Sequence, residues 1–390
     1  MLHSSEASLQ AGVRLIQAEP LRRFVESLVA GLGAPDDIAA EVARHLVGSN
    51  LAGHDSHGVI QAPRYAQQIE EGALRPTARP VLIRDGGATA LIDAGRGFGQ
   101  FSTMFALEWA VARAREHGVA AASIRGSMHI GRVGEYTERA AESGLVALVI
   151  AGAAGPGVGA MGLKGTHVRF LGTNPWSAGI PVEDGPPVVF DGATSTVAEG
   201  KVRLAMKGQV PIPEGYILNA AGEATTRAAD LYDGGTLLPL GAPLAEHKGS
   251  GLALVAALLG GLGMIEEQDP ALIGVTQTSV PDPAGRIGGV FLLAVDPAAF
   301  GDPDRYRKLT RNTVDAARSL PPAPGAHQVL MPGDPERLSR AKRTRHGIPV
   351  PDAVWEELAR LAERLGLDLP DWGGANSTNL PNVTGEPKRL

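Results

Sequence analysis

Residues 81–150 alternate short apolar segments with amphipathic ones, and this alternation constrains the fold more than any other feature of the chain. The spacing of the apolar residues predicts strands at 81–83, 88–92, 119–124 and 145–150 and helices at 102–117 and 135–143. The last of these strands (LVALVI) is apolar throughout, which is typical of a strand buried on both faces. The region therefore predicts an α/β layered unit.

Helical patterns flank this unit at both ends of the chain. Residues 20–33 and 35–51 carry apolar residues at helical spacing near the N-terminus, and residues 352–366 do so near the C-terminus. We therefore predict five parts, namely a flexible tail (1–14), an N-terminal helical part (15–80), an α/β unit (81–320), a C-terminal helical part (321–368) and a disordered tail (369–390).

The composition excludes several classes of function. The 390 residues include no cysteine, so a disulfide framework, a Cys-ligated metal and a thiol nucleophile are all impossible. The net charge of −6, without a basic block, disfavours nucleic acid and anionic membranes as partners. No secretory signal is recognisable, and the most apolar run (251–265) is too short to span a bilayer. We expect a cytoplasmic enzyme.

The densest group of reactive side chains is HDSHG at residues 54–58, just after the second predicted helix. A rigid element can present the Ser56–His57 pair to a cleft, and an imidazole that titrates near neutrality suits proton transfer. A metal-dependent hydrolase or lyase using His54, Asp55 and His57 is an alternative, although no H-E-x-x-H or H-x-H pattern occurs. A serine hydrolase would need a G-x-S-x-G elbow, which does not match this serine.

Three further features concern ligand binding. Residues 157–162 (GVGAMG) spell G-x-G-x-x-G, but no helical pattern follows and no acidic residue near 20 positions on ends a second buried strand, so we predict that this is not a Rossmann site. His129 follows a predicted strand, and ligands of α/β sheets bind at strand carboxyl ends. Lys248 precedes a predicted apolar helix (251–262), where a cation opposes the helix dipole, which indicates a functional role.

Several separate segments, taken together, resemble one known family. They are residues 53–59 (GHDSHGV), 63–65 (PRY), 129–134 (HIGRVG), 172–175 (GTNP), 190–195 (FDGATS), 247–249 (HKG) and 332–334 (PGD). In this order they are similar to the malate/L-lactate dehydrogenase family of non-Rossmann oxidoreductases, over roughly residues 15–368. Residues 246–249 (EHKG) and 345–349 (RHGIP) most resemble its hydroxycarboxylate dehydrogenase B branch.

The resemblance implies an α/β, non-Rossmann malate/L-lactate dehydrogenase-like fold. Its cofactor-binding sheet would be mostly antiparallel, and helices from both termini would form a second domain. It also implies a homodimer that transfers hydride between NAD or NADP and a small-molecule 2-hydroxy or 2-oxo acid. Reduction of a cyclic imine of the Δ1-piperideine-2-carboxylate type is the alternative within the same family.

Carried onto this sequence, the resemblance implies roles for individual residues. His57 would be the proton donor and acceptor, Ser56 its relay partner, and His129 a further catalytic residue. The cofactor would contact His129, Ile130, Gly131, Arg132, Val133, Asp191, Gly192, Ala193 and Lys248. The substrate would contact Gln61, Arg64 and Thr173, and no metal is expected.

Two positions depart from the family pattern. Many relatives carry arginine four residues after the histidine to bind the substrate carboxylate, whereas this chain has Gln61; Arg64, one helical turn later, could take that role. The relay acid of the family's imine reductase falls near Leu204, so Asp55 or Asp191 would have to supply the carboxylate. A member that binds a nicotinamide or metabolite without catalysis is a further alternative.

Overall fold

The computed structural model describes residues 12–265 and 286–370. Within these ranges the chain forms a large sheet with helices on it and a helical unit built from both ends. Most of the tail predicted at 369–390 lies outside the described residues, as do residues 1–11 of the N-terminal tail.

The strands in chain order are β1 (Val13–Ile16), β2 (Val81–Asp85), β3 (Thr89–Asp93), β4 (Val119–Arg125), β5 (Val146–Ala154), β6 (Met161–Gly162), β7 (Arg169–Leu171), β8 (Trp176–Ile180), β9 (Val188–Gly192), β10 (Ile217–Leu218), β11 (Ala224–Thr225), β12 (Thr236–Leu237), β13 (Ile287–Val295) and β14 (Ile348–Pro351). The helices are α1 (Ala18–Gly31), α2 (Asp36–Leu51), α3 (Ala62–Glu70), α4 (Gly99–His117), α5 (Gly134–Glu142), α6 (Glu199–Lys207), α7 (Glu246–Gly260), α8 (Pro303–Arg318), α9 (Asp334–His346) and α10 (Asp352–Arg364).

The main sheet has twelve strands among the described residues, with β5, β13 and β4 at its centre. Strand β13 pairs antiparallel with both β4 and β5 along nearly its whole length. Among the described pairings only β3 with β4 and β6 with β12 are parallel, which confirms the mostly antiparallel sheet. The glycine-rich segment at 157–162 ends in the short strand β6 rather than in a helix, as expected for a non-Rossmann fold.

The helical unit joins the two ends of the chain. Apolar residues of α1, α2 and α3 share one core with residues of β14 and α10, among them Leu28, Leu46 and Leu358, all fully buried. Strand β1 also pairs antiparallel with β14. The tail predicted at 1–14 was therefore too long, because Val13 and Arg14 already belong to β1. The other domain boundaries remain predictions.

The start of one predicted helix requires correction, and two helices were missed. Helix α7 begins at Glu246 rather than at 251, so Lys248 lies inside its first turn. Helices α6 and α9 were not predicted, although α9 begins with an acidic residue followed by proline and ends in basic residues before a glycine, as helices often do. No helix in the described ranges is both long and apolar enough to cross a bilayer.

Helix α7 packs against β5 so closely that β5 must carry a glycine there. A Cβ atom built on Gly152 would lie 2.5 Å from the backbone carbon of Ala256 and the backbone nitrogen of Ala257. Because both obstacles are backbone atoms, no side-chain rotation can relieve the overlap. The small residue therefore sets the distance between helix and sheet.

We expect Gly152→Ala to lower the free energy of unfolding by about 1–3 kcal/mol, since overpacking forces the backbone apart. The matched control is Gly48→Ala in α2, where an added Cβ meets only Glu135 Oε2, at an ordinary contact distance of 3.6 Å. That control should be neutral or stabilising by up to about 1 kcal/mol through helix propensity. Urea denaturation measures both, and equal stabilities for the two variants would contradict the packing argument.

Candidate active site

A short loop between α2 and α3 carries Ser56 and His57, and Asn50 fixes its shape. The Asn50 amide donates to Asp55 Oδ1 at 2.6 Å, and its Oδ1 accepts from the backbone N–H of Val59 at 2.9 Å. A Cβ atom on Gly58 would lie 2.2 Å from that same amide oxygen. Glycine at position 58 is therefore what lets the loop close onto the end of α2.

Helix α9, from the C-terminal part of the chain, holds the loop from outside. The guanidinium of Arg343 donates to both carboxylate oxygens of Asp55, at 2.6 and 3.0 Å. His54 Nε2 lies 3.1 Å from Glu336 Oε1. These partners give Asp55 and His54 structural contacts, and no group of three His, Asp or Glu within residues 12–265 and 286–370 is arranged to hold a metal ion.

Ser56 and His57 form a hydrogen-bonded pair beside a second imidazole. The Ser56 hydroxyl lies 3.0 Å from His57 Nδ1. The rings of His57 and His129 stack with centroids 5.5 Å apart and planes inclined by 20°. Since Nδ1 is engaged by Ser56, Nε2 is the nitrogen of His57 left to exchange a proton with a ligand.

Both imidazoles are neutral near pH 7. Burial lowers the pKa of His57 to about 4, and the charges of His54 and Arg132 act in the same direction while Asp191 opposes them. Burial, together with the neighbouring His57, holds the pKa of His129 well below its ordinary value. A neutral His57 can accept a proton from a hydroxyl group without first losing one.

Two residues that the sequence analysis did not assign to the site orient His129. The Tyr65 hydroxyl lies 2.7 Å from His129 Nδ1 and accepts a hydrogen bond from the Gln100 amide at 2.6 Å. Burial raises the pKa of Tyr65, so the phenol stays protonated and donates a hydrogen bond to Nδ1. His129 consequently carries its own proton on Nε2. Tyr65 belongs to the PRY segment, which is the only sequence signal that pointed to it.

The segment 130–133 is held from within the core. Burial lowers the pKa of His45 to about 3, and its neutral Nε2 accepts from the Arg132 backbone N–H at 2.9 Å. Gly131 has φ +75°, and a Cβ there would lie 2.2 Å from the same nitrogen. The side chains of Ile130, Arg132 and Val133 are buried, so these three predicted cofactor contacts could be made only by backbone atoms.

Asp191, at the end of β9, binds the residue after that segment and acts electrostatically on His57. Its Oδ2 accepts from the backbone N–H of Gly134 at 2.8 Å, and its charge acts on His57. Gly192 and Ala193 follow it and are half-buried. Of the two carboxylates considered as relay acids, Asp191 therefore lies within electrostatic reach of His57, whereas Asp55 is engaged by Arg343.

A series of hydrogen bonds connects Thr173 with the helix that carries Lys248. The carbonyl of Thr173 accepts from both the N–H and the hydroxyl of Thr194, at 2.8 and 2.9 Å. The chain of contacts continues from Leu240 N–H to the Thr194 carbonyl at 2.8 Å and from Gly249 N–H to the Leu240 carbonyl at 3.2 Å. It thus ends in the first turn of α7, where Lys248 is exposed.

The predicted substrate residues begin one residue before α3. The Gln61 amide donates to the Ser56 carbonyl at 2.6 Å, which fixes its orientation, and its buried Oε1 has no hydrogen-bond partner among the described residues. Arg64 is half-buried one turn later. A buried acceptor without a donor is costly, so Gln61 is suited to a ligand that carries a hydroxyl or N–H group.

The chemistry of these residues fits a nicotinamide ring. Loss of hydride makes that ring cationic; His57 and His129 are neutral, and the charge of Asp191 acts against that of Arg132 at His57. The stacked imidazoles also present aromatic faces.

Comparisons with known proteins agree with this arrangement. The family model for malate/L-lactate dehydrogenase matches residues 16–359. Hydroxycarboxylate dehydrogenase B of Escherichia coli (strain K12) is 32% identical over 92% of this chain and 96% of its own. L-lactate dehydrogenase of Cupriavidus necator is 34% identical over 90% of this chain and 97% of its own. The solved structure of a putative malate/lactate dehydrogenase from E. coli superposes with a TM-score of 0.80 at 30% identity, covering 91% of this chain and 96% of that one.

Proposed function

The chain belongs to the malate/L-lactate dehydrogenase family and is an oxidoreductase that interconverts 2-hydroxy acids and 2-oxo acids, and from this premise we propose that His57 is its proton donor and acceptor. One observation carries the proposal: His57, hydrogen-bonded to Ser56, stacks on His129, which follows β4.

The reaction needs a hydride at carbon and a proton at oxygen. The nicotinamide cofactor supplies or takes the hydride. In the oxidative direction, neutral His57 takes the hydroxyl proton of the 2-hydroxy acid on Nε2. In the reductive direction, protonated His57 returns it to the carbonyl oxygen, and Ser56 at Nδ1 fixes the orientation of the ring.

The remaining residues orient the reactants. Tyr65 and Gln100 fix the ring of His129, so its Nε2–H can donate to an oxygen of the ligand. Gln61 offers its unpaired Oε1 to the substrate hydroxyl, and Arg64 supplies positive charge for the acid group. Asp191 favours the protonated form of His57. The cofactor is NAD or NADP, and the proposed location is the cytoplasm.

We expect His57→Asn to lower kcat by about 100- to 10,000-fold, because the variant lacks the acid–base group. The affinity for NADH and NADPH, measured by fluorescence titration, should change little. His117→Asn, which removes an exposed imidazole at the end of α4, is the matched control and should be as active as the unmodified protein. Unchanged turnover in His57→Asn, assayed on a panel of 2-oxo acids with both reduced cofactors, would refute the assignment.

We further propose that the enzyme is a homodimer that covers the outer face of α7. Leu252, Val255, Leu258 and Leu262 lie along one side of this helix and its continuation, each 42–50% exposed, while Ala253 and Ala256 bury the opposite side. A helix that is apolar on both sides is normally enclosed by protein. A second copy is the partner always present when the chain is made, and twofold dimers are the commonest assemblies.

Sedimentation equilibrium should therefore give twice the mass of one chain, and Val255→Lys with Leu258→Lys should give the single mass by placing charges in the interface. The matched control introduces lysine at the exposed Leu309 and Leu338 and should leave the dimer intact. A single-chain mass for the unmodified protein would contradict the proposal and would mean that another part of the chain covers α7.

A further inference from the structure

Helix α6, which the sequence analysis did not predict, lies directly against the catalytic loop. A Cβ atom built on Gly200 would lie 2.5 Å from the Cβ of Ser56. The first turn of α6 can therefore approach this close only because residue 200 is glycine. A side chain one turn later on the same face of α6 therefore lies at the edge of the site.

The next residues on that face are Leu204 and the charged Arg203. Arg203 follows Gly200 by three positions, and residues three apart are neighbours on a helix surface. Its guanidinium donates to Glu199 Oε1 at 2.7 Å, and the Tyr232 hydroxyl lies 3.3 Å from the same oxygen. The Arg203 side chain is 36% exposed, so a ligand can reach it from solvent.

A second guanidinium, that of Arg64 on α3, lies within electrostatic reach of the first. Burial and the charge of Arg203 lower the pKa of Arg64, while Glu199 opposes both effects. Two neighbouring cations repel each other, and an anion between them removes the repulsion. Glu199, a carboxylate, supplies that anion from within the chain.

The other arginines near His57 are engaged in holding the fold. Arg132 is buried, with Glu138 at 3.1 Å and Asp191 at 3.6 Å. Arg343 is bound to both oxygens of Asp55. Arg343 cannot release Asp55 without loosening the loop that carries His57. Arg203 differs, because its carboxylate partner Glu199 lies on its own helix, and exchange of that partner leaves the contacts of the loop in place.

We propose that Arg203, together with Arg64, binds the carboxylate next to the reacting carbon of the substrate, and that this carboxylate displaces Glu199 from Arg203. Guanidinium groups bind carboxylates through paired hydrogen bonds, which fixes orientation as well as charge. The site therefore selects free 2-oxo and 2-hydroxy acids over their esters and amides. Glu199 competes with the substrate carboxylate for Arg203. The Tyr232 hydroxyl, which donates to Glu199, can continue to bind it after the substrate has displaced it from Arg203.

This inference rests on the proposed function, and steady-state kinetics with pyruvate and oxaloacetate can separate the two. Arg203→Gln should raise KM for both acids by about tenfold or more, the loss of one charge-assisted pair, with a smaller effect on kcat. Arg203→Lys should recover part of the affinity, and Glu199→Gln should lower KM by freeing the guanidinium. NADH binding should be unaffected in all three variants, which also shows that they fold.

The matched control is Arg227→Gln, which removes an arginine that pairs with Asp230 and Asp233 beside the short turn that packs on α6. It should leave both KM values within about twofold. If Arg203→Gln behaves like this control while the unmodified protein is active, the inference is wrong and the proposed function stands. A KM effect confined to oxaloacetate would also overturn it, by assigning Arg203 to a second acid group. No turnover of any 2-oxo acid by the unmodified protein would refute the proposed function itself.

Discussion

The site depends on how Asn50 and Arg343 hold the loop at residues 54–58. One side-chain amide satisfies Asp55 and the backbone of Val59 at once, and Arg343 neutralises Asp55 from α9. Because α2 belongs to the N-terminal part and α9 to the C-terminal part, the loop has its shape only when both ends of the chain are packed together. The helical unit thereby positions the residue that transfers the proton, while the sheet positions its neighbours.

Burial then decides the chemistry of the imidazoles. His45, His57 and His129 all have lowered pKa values because the folded chain removes them from water. Each is neutral near pH 7 but takes up a proton in the unfolded chain as pH falls below about 6.5. The unfolded state then binds more protons than the folded state, so these groups lower the free energy of unfolding as the solution is acidified. Above that pH they do not affect it. The same neutrality makes His57 a base that is ready at physiological pH.

Much of the fold could be predicted from sequence because its signals are local. The strands and helices between residues 81 and 150 follow from apolar spacing and from glycines at the helix ends, and the structure has them within a few residues. The resemblance, rather than local spacing, assigned His57 and His129 to one site, and the structure has their ring centroids 5.5 Å apart. The resemblance to a known family supplied what spacing could not, including the antiparallel sheet.

The supporting residues could not be predicted because they come from distant parts of the chain. Gln100 meets Tyr65 across 35 positions, and Arg343 meets Asp55 across 288. No local pattern marks such pairs, since each residue alone is ordinary for a helix. Helix α6 was missed for a different reason: its short polar sequence, with Gly200 near its start, resembles a turn. That omission concealed Arg203, the residue that we propose binds the substrate carboxylate.

The central claim is that a neutral, half-buried His57 exchanges the substrate proton, and the pH dependence of kcat/KM in the two directions tests it most directly. Oxidation of the 2-hydroxy acid needs neutral His57, so its kcat/KM should be constant between pH 5 and 8 and fall only as pH approaches about 4. Reduction of the 2-oxo acid needs the protonated form, so its kcat/KM should fall about tenfold per pH unit over the same range. An oxidative profile that breaks near pH 6.5 or above would contradict the account, because it would show His57 titrating as an exposed imidazole does.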